Sequence, residues 1–174
     1  MPFSLHPRLA SDCHLIGELG LCRVLLLDDA RYPWVVLVPR RAGIREIYEL
    51  NAADRDALVR ESCLTGEFMM QAFAGEKLNI GALGNLVPQL HLHHIVRRSA
   101  DPAWPGPVWG HSAAEPYPHD LLAERVACLR EGLARKSQCA VKRRVLSVGE
   151  IPARQLSLQP VAIGAAVEVT KQSK

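Results

Sequence analysis

The sequence lacks the segments that would carry a chain into or across a membrane. Its 174 residues contain no run of about 18 apolar residues, which a transmembrane helix requires. Residues 1–8 lack the apolar segment of a secretory signal peptide. No Cys-x-x-Cys pair occurs, and the odd number and wide spacing of the five cysteines are typical of reduced thiols. These absences predict a cytoplasmic protein with no membrane partner.

The composition is that of one globular domain followed by a basic tail. Apolar residues make up 48% and charged residues 22% of the chain, an ordinary proportion. Residues 1–134 carry 13 Lys and Arg against 16 Asp and Glu, whereas residues 135–174 carry eight against two. A basic tail can bind nucleic acid by neutralising phosphates, but this tail has no aromatic residue for base stacking. We therefore do not expect a nucleic-acid partner.

Hydrophobic periodicity predicts alternating strands and helices. A long helix is predicted from the N-cap Asn51 through Phe73, with Gly75 as a C-cap glycine, and an amphipathic helix over residues 120–136. The first three of five predicted strands have short connections, as in an antiparallel meander. The predicted strands are residues 14–19, 22–27, 34–38, 77–82 and 89–96. Beyond residue 140 no clear period survives, although residues 158–169 could form a strand.

The last of these strands contains three histidines within four residues. Because side chains of a strand alternate between two faces, Gln89, His91 and His93 share one face. His94 shares the other face with three apolar residues, Leu90, Leu92 and Val96. The first face presents two imidazoles and an amide, spaced roughly 7 Å apart along the strand. Such a row can act on one phosphate-sized group, whereas His94 is predicted to be a partly buried, hydrogen-bonded structural residue.

Two other interpretations of the histidines stay open. They could be ordinary surface or core histidines that lie together by chance. They could also bind zinc, because His-x-His on a strand offers two neutral nitrogens. The nearest carboxylates in the sequence are Glu76 upstream and Asp101 downstream, so no acidic ligand is close. We therefore predict no metal site.

The element order and the histidine strand together resemble the histidine-triad (HIT) superfamily, whose signature is His-φ-His-φ-His-φ-φ, φ being apolar. The resemblance covers about residues 10–110 and is strongest to the bacterial branch related to diadenosine polyphosphate hydrolases. It implies an α+β fold: a HIT-like antiparallel sheet of about five strands, with one long helix packed on it and a C-terminal helix. On this basis we divide the chain into a HIT-like nucleotide-binding catalytic domain, residues 1–140, and a tail of unknown structure, residues 141–174. A homodimer is also implied.

The resemblance implies a nucleotide hydrolase. His91, at the middle position, would attack the α-phosphorus of a dinucleoside polyphosphate or a nucleoside phosphoramidate, and water would then release a nucleoside monophosphate from the nucleotidyl-histidine. His93, at the third position, would contact the phosphate oxygens. No cofactor is required, although Mg²⁺ could accompany a long polyphosphate substrate. The alternatives are a nucleotide-binding protein with little activity and a nucleotidyltransferase.

Further residues match nucleotide-binding positions of the family. Asn79 resembles a position that contacts phosphate or ribose, and Gly84 and Asn85 lie in the matching glycine loop. Asp28 resembles a residue that binds ribose hydroxyls; its alternative role is that of a turn residue. The segment 104–107 resembles a Trp- and Pro-rich closing segment of some relatives.

Two positions depart from the family pattern. Gln89 stands where the first histidine is expected, and it would serve as a hydrogen-bonding member of the catalytic row. Trp34 stands where many relatives have a further histidine. Neither side chain can transfer a proton as an imidazole does, so the departures predict an altered preference for the leaving group.

Overall fold

The computed structural model describes residues 2–146 as an α+β fold built on one antiparallel sheet, as predicted. The strand order is β1-β2-β3-β5-β4. The strands are β1 (Cys13–Glu18), β2 (Cys22–Leu27), β3 (Trp34–Pro39), β4 (Lys77–Gly81) and β5 (Leu92–Arg97). The helices are α1 (Pro7–Asp12), α2 (Ala52–Ala72) and α3 (His119–Leu146), and a short 3₁₀ helix spans Ile47–Glu49. None of the helices described is long and apolar enough to cross a membrane.

The histidine strand begins later than predicted, at Leu92 rather than at residue 89. Its neighbour β3 pairs Leu37 with Leu92 and ends two residues later at Pro39. Proline has no backbone N–H to donate, so the ladder does not continue upstream of Leu92. The N–H of Leu90 instead donates to the carbonyl oxygen of Ile44 at 2.9 Å.

The end of α2 also differs from the prediction. Asn51 caps the start, accepting a hydrogen bond from the Asp54 N–H at 2.9 Å, as predicted. The residue with positive φ after the helix is Ala74, at 46°, and not Gly75. Gly75 is needed for space, because a Cβ there would lie 2.6 Å from both Met70 Sδ and Val96 Cγ1. A glycine after a helix can provide a positive φ or leave space for neighbouring side chains, and the sequence alone does not distinguish these two roles.

The predicted C-terminal helix is longer than the sequence pattern indicated. It begins at His119 and continues through Leu146, ten residues beyond its predicted end. The predicted domain boundary at residue 140 therefore falls within a continuous helix, and the division into two parts stays a prediction. The strand predicted over residues 158–169 lies outside the described residues.

The sheet separates two apolar clusters. One face packs against α2 and α3 through residues such as Leu58, Met69 and Leu129. The opposite face packs against α1 and the segments on either side of β5, through residues such as Leu9, Val87, Ala103 and Val108. All six residues of β3 and all six of β5 are buried, because both strands are central and covered on both faces.

His94 lies on the helix-packed face of β5, as predicted, and it is fully rather than partly buried. Its Nδ1 faces the Leu92 carbonyl oxygen at 3.3 Å, and its Nε2 lies 2.7 Å from Ser62 Oγ on α2. Since a carbonyl oxygen only accepts, Nδ1 carries the proton and Nε2 accepts from the serine hydroxyl. Burial lowers the pKa of His94 to about 4. This histidine is a neutral link between the sheet and α2.

We expect His94→Ala to lower the free energy of unfolding by about 3 kcal/mol, because the change opens a cavity and leaves the Ser62 hydroxyl without its partner. Urea denaturation at pH 7 measures the change. His111→Ala is the matched control, since His111 is exposed and should change stability by less than about 0.5 kcal/mol. Equal effects of the two substitutions would contradict the structural role of His94.

Candidate active site

His93 lies on the face of β5 opposite His94, as strand alternation predicts, and His91, just before the strand begins, lies beside it on the same side. Both are buried, with 6% and 9% of their surface exposed. Their ring centroids are 4.8 Å apart and the ring planes meet at 75°. The two imidazoles therefore form one compact site, closer together than the strand spacing alone indicates.

The backbone sets the protonation pattern of His91. Its Nδ1 lies 2.7 Å from the backbone carbonyl oxygen of Gln89, two residues upstream. Because that oxygen only accepts, Nδ1 donates and holds the proton. The lone pair of the neutral ring is then on Nε2. An imidazole held in this tautomer is a nucleophile with a defined direction of attack.

His93 is held in the opposite tautomer. The indole Nε1 of Trp34 donates a hydrogen bond of 2.9 Å to its Nδ1. An indole nitrogen only donates, so Nδ1 is the acceptor and the neutral ring carries its proton on Nε2. Burial, followed by the neighbouring His91 and His94, lowers the pKa of His93 to about 3. At neutral pH this residue is an uncharged hydrogen-bond donor.

A second tryptophan covers His93. The ring centroid of Trp109 is 6.0 Å from that of His93 and 6.2 Å from that of Trp34. Gly81 lies opposite His93 in the β4–β5 ladder, and a Cβ there would approach the Trp109 ring to within 3.0 Å. Trp109 is thus the tryptophan of this region that contacts His93, whereas Trp104 lies over the guanidinium of Arg97 at 5.8 Å. The closing role of residues 104–107 stays a prediction.

A small pocket adjoins His91. It lies between the loop after β4 and the segment before the 3₁₀ helix. The backbone hydrogen bond from Leu90 to Ile44 holds that segment against the start of the histidine strand. Its lining includes Gly84, whose binding of a nucleotide stays a prediction, and two charged residues that sequence analysis did not identify, Arg45 and Glu46. A single exposed arginine in a loop has no signal in the sequence, because only the fold brings it beside His91.

Gln89 lies in this pocket, but its side chain is engaged elsewhere. Its Oε1 accepts from the His6 N–H at 2.9 Å, and its Nε2 donates to the Ser4 carbonyl oxygen at 2.8 Å. The amide therefore fastens the N-terminal segment, and it is the backbone carbonyl of Gln89 that contacts His91. A catalytic role for the side chain stays a prediction. Asn85 is exposed and does not line the pocket.

The two remaining predicted residues have protein partners. Asn79 Oδ1 accepts from Arg97 Nη1 at 2.7 Å. Asp28 Oδ1 accepts from the Tyr117 N–H at 2.9 Å and lies 3.3 Å from His14 Nε2. None of these partners belongs to the histidine row, so nucleotide binding by Asn79 and Asp28 stays a prediction. Among residues 2–146, no three His, Cys, Asp or Glu side chains are grouped so that they could hold a metal ion.

Comparison with known proteins shows the family. The HIT domain model matches residues 8–100, and the chain belongs to the HIT domain family. A solved histidine triad protein from Marinobacter aquaeolei VT8 is 53% identical, with a TM-score of 0.76 over 78% of this chain and 98% of that one. Those from Sinorhizobium meliloti 1021 and Bradyrhizobium japonicum are 48% and 41% identical. The Sinorhizobium protein has a TM-score of 0.73 over 75% of this chain and 96% of its own. The Bradyrhizobium protein has a TM-score of 0.75 over 76% of this chain and 99% of its own. No curated protein matches the chain.

The lowered pKa values of His93 and His94 predict a loss of stability in mild acid. The unfolded state binds protons near pH 6.5, whereas the folded state resists protonation down to about pH 3 for His93 and about pH 4 for His94. The contribution of the two neutral histidines to the free energy of unfolding is therefore fully present above pH 6.5 and decreases as the pH falls below it. Between pH 7 and pH 5 we expect a loss of about 2 kcal/mol for each histidine.

Urea denaturation at the two pH values measures this loss. His94→Gln keeps a hydrogen-bonding side chain but cannot titrate, so it should remove about half of the pH dependence. An unfolding free energy equal at pH 7 and pH 5 would contradict the neutral, buried state of both histidines.

Proposed function

We propose that this protein is a nucleotide hydrolase that acts through a covalent nucleotidyl-histidine at His91. The observation that carries the proposal is the 2.7 Å hydrogen bond from His91 Nδ1 to the Gln89 carbonyl, which directs the Nε2 lone pair as a nucleophile. The substrates are dinucleoside polyphosphates or nucleoside phosphoramidates, and the product is a nucleoside monophosphate. Resemblance to the diadenosine polyphosphate hydrolase branch supports this choice of substrate.

The reaction has two displacements at the α-phosphorus. In the first, a bond forms between His91 Nε2 and phosphorus while the bond to the leaving group breaks, and the leaving group takes its electron pair. The imidazolium formed keeps its Nδ1 proton, which the Gln89 carbonyl oxygen stabilises. In the second, water attacks phosphorus, the P–N bond breaks, and its electron pair returns to Nε2. One proton of the water leaves to solvent, and the monophosphate departs.

His93 stabilises charge in both steps. Because Trp34 occupies its Nδ1, the Nε2–H is the group that can donate to a phosphate oxygen beside His91. A donor fixed before substrate binds, on a buried side chain, stabilises the transition state more than a solvent molecule does. Asn79, Gly84, Asn85 and Asp28 are proposed nucleotide contacts on the resemblance alone. Cytoplasmic location, a homodimer and Mg²⁺ bound with the substrate are proposed on the same basis.

We expect His91→Ala to lower the rate of AMP release by at least about three decades, since the variant lacks the nucleophile of the covalent step. The assay measures AMP released from diadenosine triphosphate, diadenosine tetraphosphate and adenosine phosphoramidate. His111→Ala is the control for removal of an exposed histidine and should keep wild-type turnover.

Near-normal turnover in His91→Ala would exclude the mechanism. No turnover by the wild type, together with measurable nucleotide binding, would identify the protein as a nucleotide-binding protein. AMP transferred to phosphate or to a sugar phosphate, in place of water, would identify a nucleotidyltransferase.

Arg45 is expected to contact the phosphates beyond the one attacked, because it is the cationic side chain of the pocket beside His91. Arg45→Ala should raise the KM for diadenosine tetraphosphate about fivefold, corresponding to about 1 kcal/mol of charge interaction, with little change in kcat. Arg135→Ala, which removes an exposed arginine on α3, is the matched control. Equal KM values for the two variants would place the phosphates away from Arg45.

A further inference from the structure

The hydrogen bond between Trp34 and His93 determines which protons His93 can offer. Trp34 Nε1 donates to His93 Nδ1 at 2.9 Å, and the two rings meet edge to face with centroids 5.5 Å apart. Nδ1 can accept a proton only if this bond breaks. The indole N–H would then lose its acceptor inside a buried site, and it would face the new positive charge.

The surroundings of His93 also disfavour the imidazolium. The titratable groups that influence it are His91 and His94, and both oppose a positive charge. The elements packed against it contribute Trp34 and Val36 from β3, Gly81 from β4 and Trp109 from the covering segment, and none of these titrates. Within the described part of the chain, no carboxylate is among the groups that shift its pKa, which burial lowers to about 3.

We propose that Trp34 is a positioning residue that keeps His93 a neutral Nε2–H donor, so that the site selects nucleotides whose leaving group departs as an anion. This inference rests on the proposed nucleotidyl-histidine mechanism and narrows its substrate class. Dinucleoside polyphosphates and other phosphoanhydrides belong to the selected class. Phosphoramidates do not.

The chemistry of bond breaking separates the two classes. When His91 Nε2 displaces a phosphoanhydride, the electron pair of the breaking P–O bond stays on a phosphate oxygen, which is stable without a proton. When it displaces a phosphoramidate, the pair of the breaking P–N bond stays on nitrogen, which needs a proton in order to leave as an amine. Neutral His93 donates a hydrogen bond but does not surrender its proton, and the Nδ1 proton of His91 is held by the Gln89 carbonyl.

The first test compares kcat/KM for diadenosine triphosphate and adenosine phosphoramidate. In the wild type the anhydride should be preferred by at least about 100-fold, the usual contribution of a general acid to a step that requires one. Trp34→Phe keeps an aromatic ring but removes the N–H, so His93 regains the option of protonation at Nδ1. This variant should lower the preference at least about tenfold, and more at pH 5 than at pH 7.

The ratio of the two substrates is the sensitive quantity. A general loss of folded protein, or of competent nucleophile, affects both substrates equally and cancels in the ratio. Trp104→Phe is the matched control, because Trp104 is 41% exposed and lies over Arg97. It should leave the preference and its pH dependence unchanged.

The second test observes His93 directly, without substrate. In ¹⁵N NMR spectra of the imidazoles, wild-type His93 should be the neutral Nε2–H tautomer at pH 5 as well as at pH 7. In Trp34→Phe it should titrate closer to the ordinary histidine value of about 6.5. An imidazolium or an Nδ1–H tautomer in the wild type at pH 5 would overturn the inference, whether or not the variant folds.

The two proposals fail in different ways. Turnover that depends on His91 but uses the anhydride and the amidate equally well would overturn the selection by Trp34 and leave the covalent mechanism standing. Absence of turnover dependent on His91 on every substrate would overturn both.

Discussion

The alternation of side chains along β5 is the constraint on which the rest of the structure depends. One face of this strand carries Leu92, His94 and Val96 into the core beneath α2, and the other carries His93 toward the site. A shift of one residue would exchange the two sets, placing the site imidazoles in the core. The buried His94–Ser62 link and the apolar residues around it therefore stabilise the register that forms the site.

Two hydrogen bonds then assign different chemistry to two similar residues. A backbone carbonyl oxygen accepts the Nδ1 proton of His91, whereas the Trp34 indole donates a proton to Nδ1 of His93. The first ring presents a lone pair at Nε2 and the second presents an N–H there. One acceptor partner and one donor partner thus place a free lone pair and a fixed N–H donor side by side. No charged group in contact with either ring is needed for this division.

Much of this arrangement could be predicted from local sequence, because it depends on short-range rules. Period-two alternation placed the histidines on their faces, and the Asn51 cap marked the start of α2. The contacts that define the site are long-range: Trp34 and His93 are 59 residues apart, and Gln89 meets His6 across 83 residues. Nothing in the local sequence indicates that Gln89 holds the N-terminal segment or that Arg45 lines the pocket, because only the fold brings these residues to their partners.

The central claim, a covalent bond between the α-phosphate and His91 Nε2, is tested most directly by trapping the intermediate. Substrate labelled at the α-phosphorus is mixed with the protein for one turnover and quenched in alkaline denaturant, and the labelled peptide is identified by mass spectrometry. We expect one nucleotidyl group on His91, formed and lost at rates compatible with turnover. Turnover without a covalent adduct, or an adduct on His93 or His94 that supports turnover, would contradict it.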